Sequence, residues 1–371
     1  MYSDRLSPET IHVTHPTKKL PTNDRASTHS NPIKSMPSFP IPPHFNPNTV
    51  STVWRVLYQQ RAQEAKTWAK QHQIAPAASD RARICLLAID VQNTFCIPDF
   101  ELFVGGKSGM GAIEDNRRLC EFIYQNLGSI TTIIPTMDTH AAAQIFHAIF
   151  WVNADGEHPA SMTTIELADV ERGTWQVNPE IAVFPFRDDP DALQTHALHY
   201  VQQLTQAGKY PLTIWPYHSM LGGIGHALVS AFEEACFFHS IVRSSPTQFE
   251  LKGNNTLTEN YSVLRPEVLV GTDGQAIAQK NTALIQTLLD FDRVIIAGQA
   301  KSHCVAWTIA DLLVEIQARD ASLADKIYLL DDCTSPVVVP GIVDFTEVAE
   351  VTFDQFAAAG MHVVRSTEVL I

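Results

Sequence analysis

The sequence predicts a doubly wound α/β fold, with three layers built around a mainly parallel sheet. Three observations carry this. Short runs that are apolar on both faces recur from residue 84 onward, stretches with helical spacing lie between them, and the runs close on polar residues. A strand apolar on both faces belongs in a parallel sheet covered on both sides. Alternation of such strands with helices is the signature of the α/β class.

The first run is 84–89, closed by Asp90. The second is 130–136, followed by Asp138. Residues 291–297 run into Gly298, 326–330 run into Asp331 and Asp332, and 361–364 form a last short strand. Helical spacing falls at 116–124, 277–289, 305–318 and 346–359. In such sheets ligands bind beyond the carboxyl ends of the strands, so the polar closers are the candidate functional residues. The stretch 151–211 fits the alternation poorly and reads as an insertion in a domain spanning 81–371. Ahead of it, 49–80 reads as a helical extension. There Val53, Trp54, Leu57, Ala65 and Trp68 recur on one face of a helix over 50–72. Residues 1–48 hold nine of the 22 prolines and no periodicity, as expected of a disordered or loosely docked arm.

The chain has 371 residues, 45% of them hydrophobic, which is enough for a sizeable core without disulfides or a structural metal. Its formal charge of -14 repels phosphate backbones and argues against a nucleic-acid partner. The charge is uneven: residues 1–80 carry nine basic against five acidic side chains, the remainder 17 against 35. The six cysteines include no closely spaced pair, a pattern expected of reduced thiols in a cytoplasmic protein. No run is long and apolar enough to span a membrane.

Three strand ends hold chemistry. Asp90 opens Asp90-Val-Gln-Asn-Thr-Phe95. Asp138 and His140 lie two apart, and in extended backbone such residues face the same way, so both could grip one metal ion. Gly298-Gln-Ala-Lys-Ser-His-Cys304 places a cysteine at a helix start, where free N–H groups favour a thiolate and can hold an oxyanion. Three other features are set aside. Gly105-Gly-Lys107-Ser108 has Glu101 where a phosphate loop needs glycine, and Gly222-Gly-Ile-Gly225 lacks the strand of a dinucleotide fingerprint. His303 adjoins Cys304, but adjacent side chains diverge at such a turn, making it a poor base.

Taken in chain order, these motifs resemble the nicotinamidases and the wider isochorismatase-like cysteine hydrolases, over 83–371 with 151–211 interrupting. The resemblance implies the isochorismatase-like hydrolase fold and a triad of Asp90, Lys252 (in Lys252-Gly253) and Cys304. It implies an oxyanion hole from the backbone N–H groups of Ala300 and Cys304, with a cis peptide joining Gln299 and Ala300. It matches Phe95 and Trp215 to the aromatic pair that sandwiches a pyridine ring. It also implies one divalent transition metal (zinc, iron or manganese) on Asp138, His140 and His218, the last in Trp215-Pro-Tyr-His218, with His147 as a further candidate ligand. The turn after His218 departs from the family, reading Ser-Met-Leu-Gly-Gly.

The function so implied is deamidation of nicotinamide to nicotinate and ammonia through a Cys304 thioester. Lys252 would stabilise the thiolate and Asp90 would take its proton. Hydrolysis of another small amide or a carbamoyl compound is the alternative, and a catalytically idle scaffold is a third. The expected partner is a small-molecule amide, with no nucleic acid and no membrane, and a homo-oligomer remains open.

Overall fold

The computed structural model describes residues 38–186 and 189–368. Six parallel strands form the central sheet: β1 (Ile84–Ile89), β2 (Thr132–Asp138), β3 (Glu250–Lys252), β4 (Arg293–Gly298), β5 (Ile327–Leu330) and β6 (His362–Val364). Their spatial order is β3-β2-β1-β4-β5-β6. The chain winds outward in one direction from β1 to β3, then returns to start again at β4. The crevice between the carboxyl ends of β1 and β4 is therefore the switch point where such sheets bind ligands.

The sheet separates two cores, and β1 shows why. Cys85, Leu87 and Ile89 face one core, while Ile84, Leu86 and Ala88 face the other, all of them buried. The first core is covered by α3 (Pro190–Gln206), α5 (Thr282–Asp290), α6 (Ala306–Arg319) and α7 (Thr346–Ala358). The second is covered by α2 (Gly111–Gln125) and α4 (Ser230–Arg243), with α1 (Tyr58–Gln71) lying on α4. This is the expected three-layer doubly wound arrangement. Among the described residues no helix is long and apolar enough to cross a membrane.

The N-terminal extension differs from expectation in two ways. Its helix begins at Tyr58, not near residue 50. The preceding backbone is held instead by Ser230, whose hydroxyl accepts from the Trp54 N–H at 2.9 Å and donates to the Trp54 carbonyl at 2.7 Å. Of the stripe that suggested a helix, Ala65 is buried, but Val53 and Leu57 are exposed. The arm expected over 1–48 is packed where it is described. The Phe39 N–H bonds the Gln125 carbonyl at 2.9 Å, and the rings of His44 and Phe45 rest on Tyr124. Residues 1–37 of that expectation lie outside the described residues.

The stretch 151–211, read from sequence as an insertion, has structure of its own. It contributes two short antiparallel pairs, Trp151–Val152 with Gln176–Val177 and Thr164–Ile165 with Leu212–Thr213, besides α3. Trp151, Ile165, Leu193 and Tyr200 from this stretch are buried in the first core.

Candidate active site

Two glycines make the site sterically possible. Gly298 ends β4 with φ +116°, and a Cβ there would lie 2.0 Å from the Ile89 carbonyl oxygen. Only glycine lets β1 and β4 close together at the switch point. Gly253 follows β3 with φ +84°, and a Cβ would stand 2.7 Å from both Asp138 Oδ1 and His140 Cε1.

Asp90 leaves β1 in the left-handed region (φ +49°), which aspartate tolerates better than most side chains. It is wholly buried, and Thr136 Oγ1 donates to its Oδ1 at 2.6 Å. Lys252, at the end of β3, reaches across β2. Its Nζ lies 3.0 Å from Asp90 Oδ2, 2.8 Å from Asp138 Oδ1 and 3.5 Å from Cys304 Sγ, and it donates to the Asn260 carbonyl at 3.0 Å. Cys304 lies in a π-helical turn, Lys301–Val305, that leads from β4 into α6. Such turns are frequent at functional sites. The three residues expected as a triad are thus in contact.

Their electrostatics refine the expected roles. Burial disfavours the Lys252 charge, but Asp138 and Asp90 outweigh it and hold the ammonium well above its ordinary pKa. Burial raises the Asp90 carboxyl. Burial also pushes the Cys304 thiol well above its ordinary range, and Lys252 only partly offsets this. Lys252 acts in the direction the resemblance implied, favouring the thiolate against the cost of burying it. The ammonium is divided between Asp90 and Asp138, which lie closer to it, at 3.0 and 2.8 Å, than the sulfur does at 3.5 Å, and burial works against loss of the thiol proton. Asp90, within hydrogen-bonding reach of the thiol and raised in basicity, is placed to remove that proton when it is needed.

The Ala300 N–H has no hydrogen-bond partner among the described residues, and Ala300 lines the same cavity as Cys304. The Gln299–Ala300 peptide is cis, as the resemblance implied. The Gln299 side chain donates to Asp115 Oδ2 at 2.9 Å, tying the turn to α2.

Asp138, His140 and His218 bring one ligand atom each within 4.8 Å of one another, all buried. His140 Nδ1 faces the Gly253 carbonyl at 3.0 Å and His218 Nδ1 faces the Pro216 carbonyl at 2.8 Å. A carbonyl only accepts, so each Nδ1 carries the proton in a neutral ring and each Nε2 keeps its lone pair. Those Nε2 atoms lie 2.7 and 3.5 Å from Asp138 Oδ2. Lone pairs converging on a carboxylate oxygen suit a cation, and backbone carbonyls on the far nitrogens are the usual second support of metal-binding histidines. The residues present fit a divalent metal ion. Burial tends to raise the Asp138 carboxyl, but its surroundings, with the Lys252 ammonium 2.8 Å from Oδ1, hold it well below its ordinary range, ionised as a ligand must be.

His147 stands beside this group but outside it. Its ring centroid is 5.9 Å from that of His140 and 6.1 Å from that of His218. It is oriented like the other two, with Nδ1 on the Ala141 and Ala142 carbonyls and a buried Nε2 that has no partner among the described residues.

The thiol and the metal group open on one cavity of about 340 Å³. Phe95 and Trp215, the expected aromatic pair, both line it. Phe95 packs edge-on to His218 at 5.7 Å, while the Trp215 indole N–H donates to Glu259 Oε1 at 2.9 Å. Sequence reasoning missed Glu259, Tyr261, Met162, Val337–Val339 and the cavity-facing position of His303. The first two follow Lys252-Gly253 closely, which was the available signal. Met162 comes from the insertion and Val337–Val339 from a hairpin far along the chain, so nothing local marks them.

No protein-family model and no curated protein matches the chain. Among solved structures it is similar to a nicotinamidase/pyrazinamidase from Acinetobacter baumannii, at 18% identity over 78% of this chain and 99% of that one, with a TM-score of 0.45. It is similar to the yeast nicotinamidase bound to the inhibitor nicotinaldehyde, at 20% identity over 76% of this chain and 99% of that one, with a TM-score of 0.46. It is also similar to the N-carbamoylsarcosine amidase of Thermoplasma acidophilum, at 15% identity over 77% of this chain and 98% of that one, with a TM-score of 0.38.

Proposed function

We propose that the chain is a cysteine amidohydrolase that converts nicotinamide to nicotinate and ammonia. The observation that carries this is the convergence of Asp90, Lys252 and Cys304 with the Asp138–His140–His218 group in one aromatic-lined cavity at the switch point. On substrate binding the Cys304 S–H gives its proton to Asp90 and the sulfur attacks the amide carbon. The N–H groups of Ala300 and Cys304 hold the oxyanion, and Lys252 balances the negative charge that has moved through the site. Asp90 then protonates the departing nitrogen, and ammonia leaves a thioester. Asp90 next takes a proton from water, the resulting hydroxide attacks the thioester, and the released sulfur regains its proton from Asp90. A divalent ion on Asp138, His140 and His218 (zinc, iron or manganese), when bound, supplies a Lewis acid that orients the ring through its nitrogen. Phe95 and Trp215 enclose the ring and keep water from it.

A carbamoyl acid calls for a guanidinium clamp, and no arginine lines the cavity among the described residues. Ammonia release from nicotinamide, pyrazinamide, benzamide and an aliphatic amide tests the assignment. Benzamide lacks the ring nitrogen and should be much the poorer aromatic substrate. Equal rates on benzamide and nicotinamide, or preference for the aliphatic amide, would overturn nicotinamide while leaving the cysteine chemistry standing.

A further inference from the structure

We propose that His303 is a specificity-determining residue, presenting an Nε2–H donor to the cavity and selecting an aromatic amide whose ring carries a hydrogen-bond acceptor. This rests on the amidohydrolase reading and narrows its substrate class.

The argument begins with a single hydroxyl. Ser302 Oγ accepts the Val337 N–H at 3.1 Å and lies 2.8 Å from His303 Nδ1. Ser302 is buried, and its own hydrogen has no other acceptor among the described residues. It therefore goes to Nδ1, since the reverse arrangement would leave a buried O–H unpaired. That fixes the tautomer: Nδ1 accepts, and Nε2 carries the hydrogen. The backbone beneath is pinned as well, because the Tyr210 hydroxyl donates to the Ser302 carbonyl at 3.0 Å.

The ring is 5% exposed and lines the cavity, and Nε2 has no hydrogen-bond partner among the described residues. It is caged by Tyr210, Trp215, Tyr261 and Phe345, with centroids 4.8 to 5.8 Å away. Such packing holds the ring in place, and burial pushes its pKa down to about 3, so the ring stays neutral. With its lone pair committed to Ser302, His303 is no base for Cys304. It is a donor held rigidly among aromatic rings in the cavity wall.

The proposed chemistry leaves this donor unused. The amide is engaged by Cys304 and the oxyanion donors, and the ring nitrogen by the metal group. A cavity of about 340 Å³ falls in the range of roughly 300–1,000 Å³ that holds drug-sized ligands, leaving room beyond a single-ring amide. A site built around a buried donor discriminates against ligands that leave it unpaired.

The test is titration calorimetry on the metal-loaded Cys304→Ala chain, where binding is read without turnover. The ligands are nicotinamides bearing, at each free ring carbon in turn, an acetyl group or the isosteric isopropenyl group. At one ring position acetyl should bind roughly 10- to 100-fold more tightly than isopropenyl. His303→Phe should erase that preference, and His303→Gln, which keeps an N–H donor, should restore part of it. No preference at any position, a preference that survives His303→Phe, or no binding of any of these ligands overturns the proposal. A preference that holds while the unmodified chain releases no ammonia from these amides supports the donor and overturns the amidase reading. Ammonia release without the preference does the reverse.

Discussion

Lys252 is the residue on which the site's charge balance turns. Its ammonium sits between Asp90 and Asp138 at 3.0 and 2.8 Å, all three side chains buried. Breaking a buried ion pair by removing one partner leaves uncompensated charge and costs about 3–5 kcal/mol. Lys252→Met should therefore lower unfolding stability by that order and abolish turnover, both measurable by urea denaturation and ammonia release on the same preparation. A fully stable, active Lys252→Met protein would show that the carboxylates do not depend on it. Asp138 links the two halves of the site, with Oδ1 on Lys252 and Oδ2 toward His140 and His218. Asp90 and Asp138 were legible because each closes a strand, whereas Lys252 and His218 came only from the family resemblance. Their protonation was not legible. How the lysine divides its charge depends on Asp138 arriving from another strand, and no local pattern shows that distance. His303 had a place in the cavity wall that the sequence did not show. Divergence from Cys304 argues against it as a base, while the structure sets it on Ser302 and in the cavity lining.

At the scale of elements, the long strands were legible as runs apolar on both faces, and they fell within two residues of expectation. β3 was not, because three residues carry no period, and only the Lys252-Gly253 pair marked it. The predicted start of α5 at residue 277 moves to Thr282, where the Asn281 side chain accepts the Leu284 N–H and caps the helix. The helices α3 and α4 were missed. The N-terminal segment is the largest revision. Proline-rich composition read as a disordered or loosely docked arm, and in its described part Phe39, Ile41 and Phe45 pack, partly buried, against the second core. A chain beginning at residue 49 should lose that partial apolar burial, less for each side chain than the roughly 1.5–3 kcal/mol of full burial. Its thermal midpoint should fall by several degrees while kcat stays close to that of the full chain, because none of these residues lines the cavity. An unchanged midpoint would contradict the packing, and a lost kcat at preserved fold would give the segment a part in the site.

At the scale of the whole molecule, function follows from topology. The β3-β2-β1-β4-β5-β6 order brings Asp90 and Cys304, more than half the chain apart, to neighbouring strand ends, and β2 and β3 add Asp138 and Lys252 alongside. A metal ion that binds only the folded group stabilises the whole domain by mass action, about 2.7 kcal/mol at a hundredfold excess over Kd. Adding zinc, manganese or ferrous ion to chelator-treated protein should therefore raise the thermal midpoint, and His218→Ala should remove the rise. A midpoint indifferent to all three ions would count against the group as a metal site. The central claim is that Cys304 carries the acyl group between amide and acid. The most direct measurement is intact-protein mass spectrometry on acid-quenched turnover of nicotinamide, followed by peptide mapping. The expected result is a nicotinoyl adduct on the peptide containing Cys304, lost on hydroxylamine treatment and absent from Cys304→Ala. Sustained ammonia release by Cys304→Ala, or an adduct on another residue, would contradict it.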